Sequence, residues 1–327
     1  MKKHIFSLIL LFTVLLAACT DTDTNETILF GGGDWDSLRL HNGIAQKILE
    51  DGYGYQTDEI SGSTSAVIQG LRQGEVHVYM ELWPDTSWEL YEAAIESGDV
   101  VDVGINFDDT QSGTWVPTYV IEGDEERGIE PMAPDLRTIE DLKDYPELFQ
   151  DPEDPSKGRF YNGPSAWNVS EIIEEKFYGY GLDEMYNLFS PGSQGAMLAS
   201  LESAYSNGEP WVGYTWSPTA TTAMYDLTIL EEAEYNEEEW RETKLTAHPS
   251  QEVMILAHHE FPDQEPEVIE FLENYSMTSP VIEEGVHYMI ENSADEDEAA
   301  VWFLKNYEDI WTEWVPEDIA QNVMDSL

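Results

Sequence analysis

Four tryptophans stand where a cation could be held. They read Trp35-Asp36-Ser37, Trp83-Pro84-Asp85-Thr86-Ser87, Trp167-Asn168-Val169-Ser170 and Trp216-Ser217-Pro218-Thr219. Each indole closes an apolar segment or loop, and Ser, Thr, Asp or Asn follows at once or within a few residues. Those side chains open helices and turns because they accept the N–H groups left free there. In open α/β sheets, ligands lie in the crevice beyond the carboxyl ends of the strands, so the four indoles are expected to face one cleft. A trimethylammonium group carries charge but donates no hydrogen bond, and a polar pocket offers it little. An indole face attracts it by about 0.5–2 kcal/mol, more when water is excluded. Several faces around one cation form a cage. A single Trp is more often packing, and Trp88, Trp240, Trp302, Trp311 and Trp314 are assigned to that role.

The elements that must position the four indoles alternate between short apolar strands and amphipathic helical patterns, which predicts an α/β fold with largely parallel sheets. A strand at 28–30 runs into Gly31-Gly32-Gly33, and a helix follows over 37–51 with Leu38, Ile44, Ile48 and Leu49 on one face. Further helices are expected over 64–73 and 87–96, around a strand at 76–80. An apolar strand over 115–121 passes into an acidic loop, where the chain is expected to cross into a second lobe. That lobe holds a helix over 139–148, helices from about 169 and 196, and a strand at 211–215. A strand at 253–257 returns to the first lobe, and three or four helices follow residue 265. Trp35 and Trp83 thus belong to one lobe, Trp167 and Trp216 to the other.

The N-terminus speaks to the compartment. Lys2 and Lys3 precede an apolar run over 5–16 that is too short to span a bilayer, and Leu16-Ala17-Ala18-Cys19 follows. Residues 1–18 read as a lipoprotein signal peptide, Cys19 as the acylated residue, and residues 19–26 as a polar tether. The protein is therefore expected outside the cytoplasm, anchored by lipid to the cell membrane. Cys19 is the only cysteine, so neither disulfides nor thiol chemistry are expected. With 67 acidic against 14 basic residues the formal charge is −53. Nucleic acid is excluded as a partner because phosphate contacts need clustered Lys and Arg. Scattered acids of this kind suit a heavily solvated surface at high salt or in an alkaline exterior.

Taken together, the segments GDWDS, YMELWPDTS, GTWVPTYV, SAWNVSE, EPWVGYTWSPT and AVWFLKNYEDIW resemble those of the glycine-betaine/proline-betaine (quaternary-ammonium) substrate-binding lipoproteins of ABC importers. The resemblance runs from the strand before Trp35 to the last helices. It implies a two-lobed type II periplasmic-binding-protein fold, each lobe a sheet flanked by helices, closing on ligand in the interlobe cleft. Residues 27–115 and 249–327 would form the first lobe and 116–248 the second. Trp83, Trp167 and Trp216 match the family's cage tryptophans, and Trp35 and Trp115 fall where related choline binders place an aromatic. The backbone amides of Asn168 and Val169 would hold a ligand carboxylate, as a helix N-terminus can. Ser87 stands where some members carry a carboxylate-binding His, bringing a hydroxyl without charge. An ABC permease is the implied partner, no cofactor is implied, and a monomer is expected.

Other functions fit less well. The chain has no Gly-x-Ser-x-Gly elbow, no His-Glu-x-x-His pair, and no Lys after its glycines to make a phosphate loop. His258-His259-Glu260 is the nearest approach to a metal cluster, but adjacent residues on a strand point to opposite faces. An enzyme is not expected. Choline or carnitine are the alternatives within the same fold, and for choline Asp36 or Asp85 could supply a carboxylate. An oligosaccharide is the remoter alternative, since sugars also stack on indoles but need many hydrogen-bond partners.

Overall fold

The structure, a computed structural model, describes residues 27–249 and 251–327. The signal peptide (1–18), Cys19 and the tether (19–26) lie outside the described residues. Ten strands carry the architecture: β1 (Ile28–Gly32), β2 (Thr57–Ser61), β3 (Val78–Leu82), β4 (Val100–Phe107), β5 (Gln111–Pro117), β6 (Gly158–Tyr161), β7 (Tyr186–Phe189), β8 (Gly213–Ser217), β9 (Leu227–Ile229) and β10 (Val253–His258). They form two five-stranded sheets, in the orders β2-β1-β3-β10-β4 and β7-β6-β8-β5-β9, each flanked by helices.

Both sheets are mixed, not largely parallel as expected. β1 lies parallel to β2 and β3, whereas β10 runs antiparallel to β3 and β4. Likewise β6 is parallel to β7 and β8, whereas β5 is antiparallel to β8 and β9. The reversed strands, β5 and β10, are those by which the chain enters each sheet from the other. Neither arrives through the helical crossover that obliges its neighbours to run parallel. Since β4 ends at Phe107 and β5 begins at Gln111, the first crossing lies at 108–110, a few residues earlier than expected. The two crossings are tied together where the Gln251 amide donates to Thr110 Oγ1 at 3.0 Å.

Local chemistry explains most boundaries. The helix Thr64–Gln73 starts at Ser63, whose hydroxyl accepts the Ala66 amide, and stops at Gly74, where φ is 70°. The helix expected over 139–148 is a short 3₁₀ turn, Ile139–Asp144, opened by a capping box between Thr138 and Asp141. Pro146 forbids its continuation by disfavouring helical geometry at the residue before it. After residue 265 come the helices Pro266–Asn274, Ser279–Asn292, Glu296–Asn306 and Glu317–Ser326, with one short turn, Glu308–Trp311, between the last two.

Candidate functional site

The tips of four strands converge on a cleft between the sheets. It is lined by Trp35, Trp83, Trp167 and Trp216 together with Thr64, Thr86, Asn168, Val169 and Tyr214. Trp35 precedes the helix Asp36–Ile48, and Trp83 follows β3 into the turn Pro84–Thr86. Trp167 lies just before the helix Val169–Gly179, and Trp216 sits near the end of β8. Strand ends and helix starts are where a side chain can reach a cleft without breaking a ladder.

The indoles meet at right angles. Trp167 stands edge-on to Trp35 (centroids 6.1 Å apart, planes at 81°) and to Trp216 (5.1 Å, 85°). Tyr214 lies behind Trp216 in a stacked arrangement at 5.8 Å, and Phe107 buttresses Trp83 at 5.8 Å. Gly33 must be bare, because a Cβ there would strike the Trp35 ring. Three of the four indole N–H groups are donated to carboxylates. Trp35 and Trp83 both donate to Glu81 Oε1, each at 2.9 Å, and Trp167 donates to Asp34 Oδ1 at 2.5 Å. With those edges engaged, the ring faces remain as the principal surface offered to a ligand.

Directly after Trp167, Asn168 caps and Val169 begins an 11-residue helix. The first N–H groups of a helix have no intrahelical acceptor and sit at the positive end of its dipole, so this end suits an anion or a ligand oxygen. Polar bonds close the cleft from both sides. Asn168 Nδ2 donates to Ser87 Oγ at 2.9 Å, and the Asp36 amide donates to Gln194 Oε1 at 2.7 Å. Ser217 and Thr222 both donate to Glu283, at 2.9 and 2.8 Å.

Three expected site residues are placed elsewhere. Trp115 does not line the cleft. In the β5–β8 register it lies opposite Gly213, whereas Ser112 and Thr114 lie opposite Trp216 and Tyr214, so the alternation of side chains puts Trp115 on the other face of the sheet. Ser87 is buried and bonded to Asn168, which makes it an interlobe clasp and not a lining group. The Asp36 carboxylate pairs with Arg39 at 3.3 Å, away from the lining. Asp85 lines a separate groove with Trp88, Trp240 and Lys244. Trp88, 37% exposed, packs at the surface against Tyr91 and beneath the Arg241 guanidinium at 5.0 Å.

Several contributors escaped the sequence: Tyr214, Thr64, Thr86, Asp34 and above all Glu81. Glu81 lies in a strand whose every residue is buried. An acid in the apolar string Val78-Tyr79-Met80-Glu81-Leu82, two residues before a cage Trp, is the signal that could have revealed it.

Two sheet-and-helix lobes with an aromatic box in the cleft between them define a solute-binding protein of the type II periplasmic fold. Residues 26–306 match the family described as the substrate-binding domain of ABC-type glycine betaine transport systems, and the chain belongs to that family. Members are transport proteins that bind small molecules outside the cytoplasm and work with an ABC permease. The chain is 24% identical, over 68% of its length and 69% of the relative's, to the trimethylamine N-oxide-binding protein of Pelagibacter ubique. In fold it is similar to a glycine betaine/L-proline-binding protein from Borrelia burgdorferi, with a TM-score of 0.72 and 20% identity over 91% of this chain and 100% of that one. A choline-binding protein in complex with choline gives a TM-score of 0.73 and 19% identity over 92% of this chain and 97% of that one. Among the described residues no helix is long and apolar enough to cross a membrane.

Proposed function

We propose that this chain captures a trimethylammonium compound, with glycine betaine foremost, between Trp35, Trp83, Trp167 and Trp216, and hands it to an ABC permease for osmoprotectant uptake. One observation carries this: indoles from both lobes meet at right angles while carboxylates hold three of their N–H groups, so ring faces line the space. Ring faces suit a cation that cannot donate hydrogen bonds, whereas a sugar stacks on them but also needs many polar partners, and Thr64, Thr86 and Asn168 are few for that. Of the ligands named for the relatives, glycine betaine, choline and trimethylamine N-oxide share a trimethylated nitrogen, whereas L-proline does not. The Asn168 and Val169 amides would receive the betaine carboxylate. Choline is the second reading, favoured by the carboxylates behind the indoles. Cys19 would carry the lipid that keeps the protein at the membrane, where it would act as a monomer whose two lobes close about the crossings near residues 110 and 251.

Calorimetric titration with glycine betaine, choline, carnitine, trimethylamine N-oxide and a maltooligosaccharide tests the proposal. Saturable binding of a trimethylated compound, with no heat from the sugar, is expected. Sugar binding alone would overturn it. Separately, radiolabelled fatty acid should mark the wild type but not Cys19→Ser, and label retained by that variant would refute the lipid assignment.

A further inference from the structure

Glu81 is fully buried on β3, and one of its oxygens does unusual duty. Oε1 accepts three hydrogen bonds, from Trp35 Nε1, Trp83 Nε1 and Ser37 Oγ, each at 2.9 Å. Oε2 is buried and has no hydrogen-bond partner. Among the described residues no Lys or Arg pairs with this carboxylate. Burial of an acid without a cationic partner is expensive, and an amide at this position could accept the same three donors without that expense. The charge therefore calls for a reason other than packing.

The geometry points to Glu81 as the positioning residue of the box, fixing two indoles through one oxygen and lending its negative charge to their faces, so that the cleft selects a permanent cation over an uncharged group of the same shape. Glu81 can act this way only if the box holds a trimethylammonium group, as proposed above. An indole whose N–H is donated to a carboxylate is polarised toward its ring, which strengthens its attraction for a cation. A bound ammonium would in turn supply a counter-charge to the buried carboxylate.

Tyr79, Tyr275 and His41, packed around Glu81, stay fixed while it titrates. Tyr79, on the same strand, is pushed up by burial. Tyr275, which follows the helix Pro266–Asn274, is pushed well up by burial and by the Glu81 charge. His41, on the helix Asp36–Ile48, bonds to the Tyr275 hydroxyl at 2.8 Å and is held neutral by burial, which lowers it to about 3. The Asp34 carboxylate faces the box beyond Trp167. Glu81 itself is raised to about 7 by burial, against the pull of its three donors.

The test compares choline with its uncharged tert-butyl analogue, 3,3-dimethylbutan-1-ol, in which carbon replaces nitrogen. Affinities are measured for the wild type and Glu81→Gln between pH 6 and 9. Glu81→Gln should weaken the charged ligand by about tenfold or more, the scale of one charge pair at an effective protein dielectric. It should leave the tert-butyl analogue bound as in the wild type, which also reports that the box is intact. In the wild type, affinity for the charged ligand should fall as pH drops below about 7, by at most about tenfold per pH unit, while the variant shows a flat profile. The wild-type pH profile stands even if the variant fails to fold. Equal loss of charged and uncharged ligands in Glu81→Gln, or wild-type selectivity that ignores pH, would overturn the assignment while leaving the cage itself standing. Wild-type protein that binds no trimethylated ligand would instead defeat the proposed function, and this role of Glu81 with it.

Discussion

Each ring face touching a caged cation is worth about 1–2 kcal/mol, so Trp83→Ala, Trp167→Ala and Trp216→Ala should each weaken binding roughly five- to thirtyfold. Phe at the same positions should retain more affinity than Ala, since it keeps a weaker π face. Trp115→Phe should leave affinity unchanged, because its side chain lies on the far face of the second sheet. Fluorescence titration of the four variants separates these outcomes, and a large loss in Trp115→Phe would contradict the register argument. Glu81 makes a second prediction, on stability. Its folded value of about 7 lies above the ordinary 4.5. The folded state therefore holds a proton that the unfolded chain releases, and stability falls as pH rises between those values, the loss being complete above about 7. Ligand-free Glu81→Gln should accordingly melt higher than wild type at pH 8, with little difference at pH 5. The indoles were legible in the sequence because strand ends and capping residues announce them, whereas the Asn168–Val169 pair entered through the family resemblance. Asp34 was not legible, since one acid among 67 carries no mark of its own, and Glu81 was passed over although its place inside the apolar string 78–82 marks it. Trp115 misled because strand parity relative to the cleft is set by the pairing partner, which spacing along one strand does not reveal.

The helix Val169–Gly179 must hold its N-terminus at the cleft, and a buried ion pair fixes its other end. Lys176 Nζ reaches Glu232 at 2.9 Å and the Thr246 carbonyl at 2.7 Å, while the Tyr180 hydroxyl donates to the same Glu232. Burial lowers Lys176 and raises Glu232, against their mutual attraction, so neither charge is comfortable alone. Lys176→Met should cost about 3–5 kcal/mol of folding stability by stranding Glu232, read as a lower denaturation midpoint. The double variant Lys176→Met, Glu232→Leu should recover most of it. Recovery of nothing would show that the pair is not what fixes the helix. Helices with clear caps, such as Thr64–Gln73, were readable from the sequence alone. The edge strand β2 was not: its sequence TDEIS is polar and largely exposed, so neither alternation nor an apolar run announces it. β5 and β10 also hid their direction, because antiparallel entry is decided by the crossing and not by the strand's own residues.

At the scale of the whole molecule, the formal charge of −53 repels itself in the folded state. Salt should relieve that repulsion, so melting temperature is expected to climb from low to molar salt. Ligand charge should respond differently. Betaine is a zwitterion and feels little long-range field, whereas choline is drawn in by the acidic surface, a pull screened over about 8 Å at physiological salt. Betaine affinity should therefore stay nearly flat with salt and choline affinity should fall. The two-lobed α/β architecture was legible from alternating strands and helices, but the point of crossing was placed a few residues late, although the polar Asp108-Asp109-Thr110 between β4 and β5 marks it. The most direct measurement of the central claim is a crystal structure grown with glycine betaine. The account predicts the trimethylammonium nitrogen enclosed by Trp35, Trp83, Trp167 and Trp216, with the carboxylate at the Asn168 and Val169 amides. Ligand density outside that box, or a box left open with betaine bound elsewhere, would contradict it.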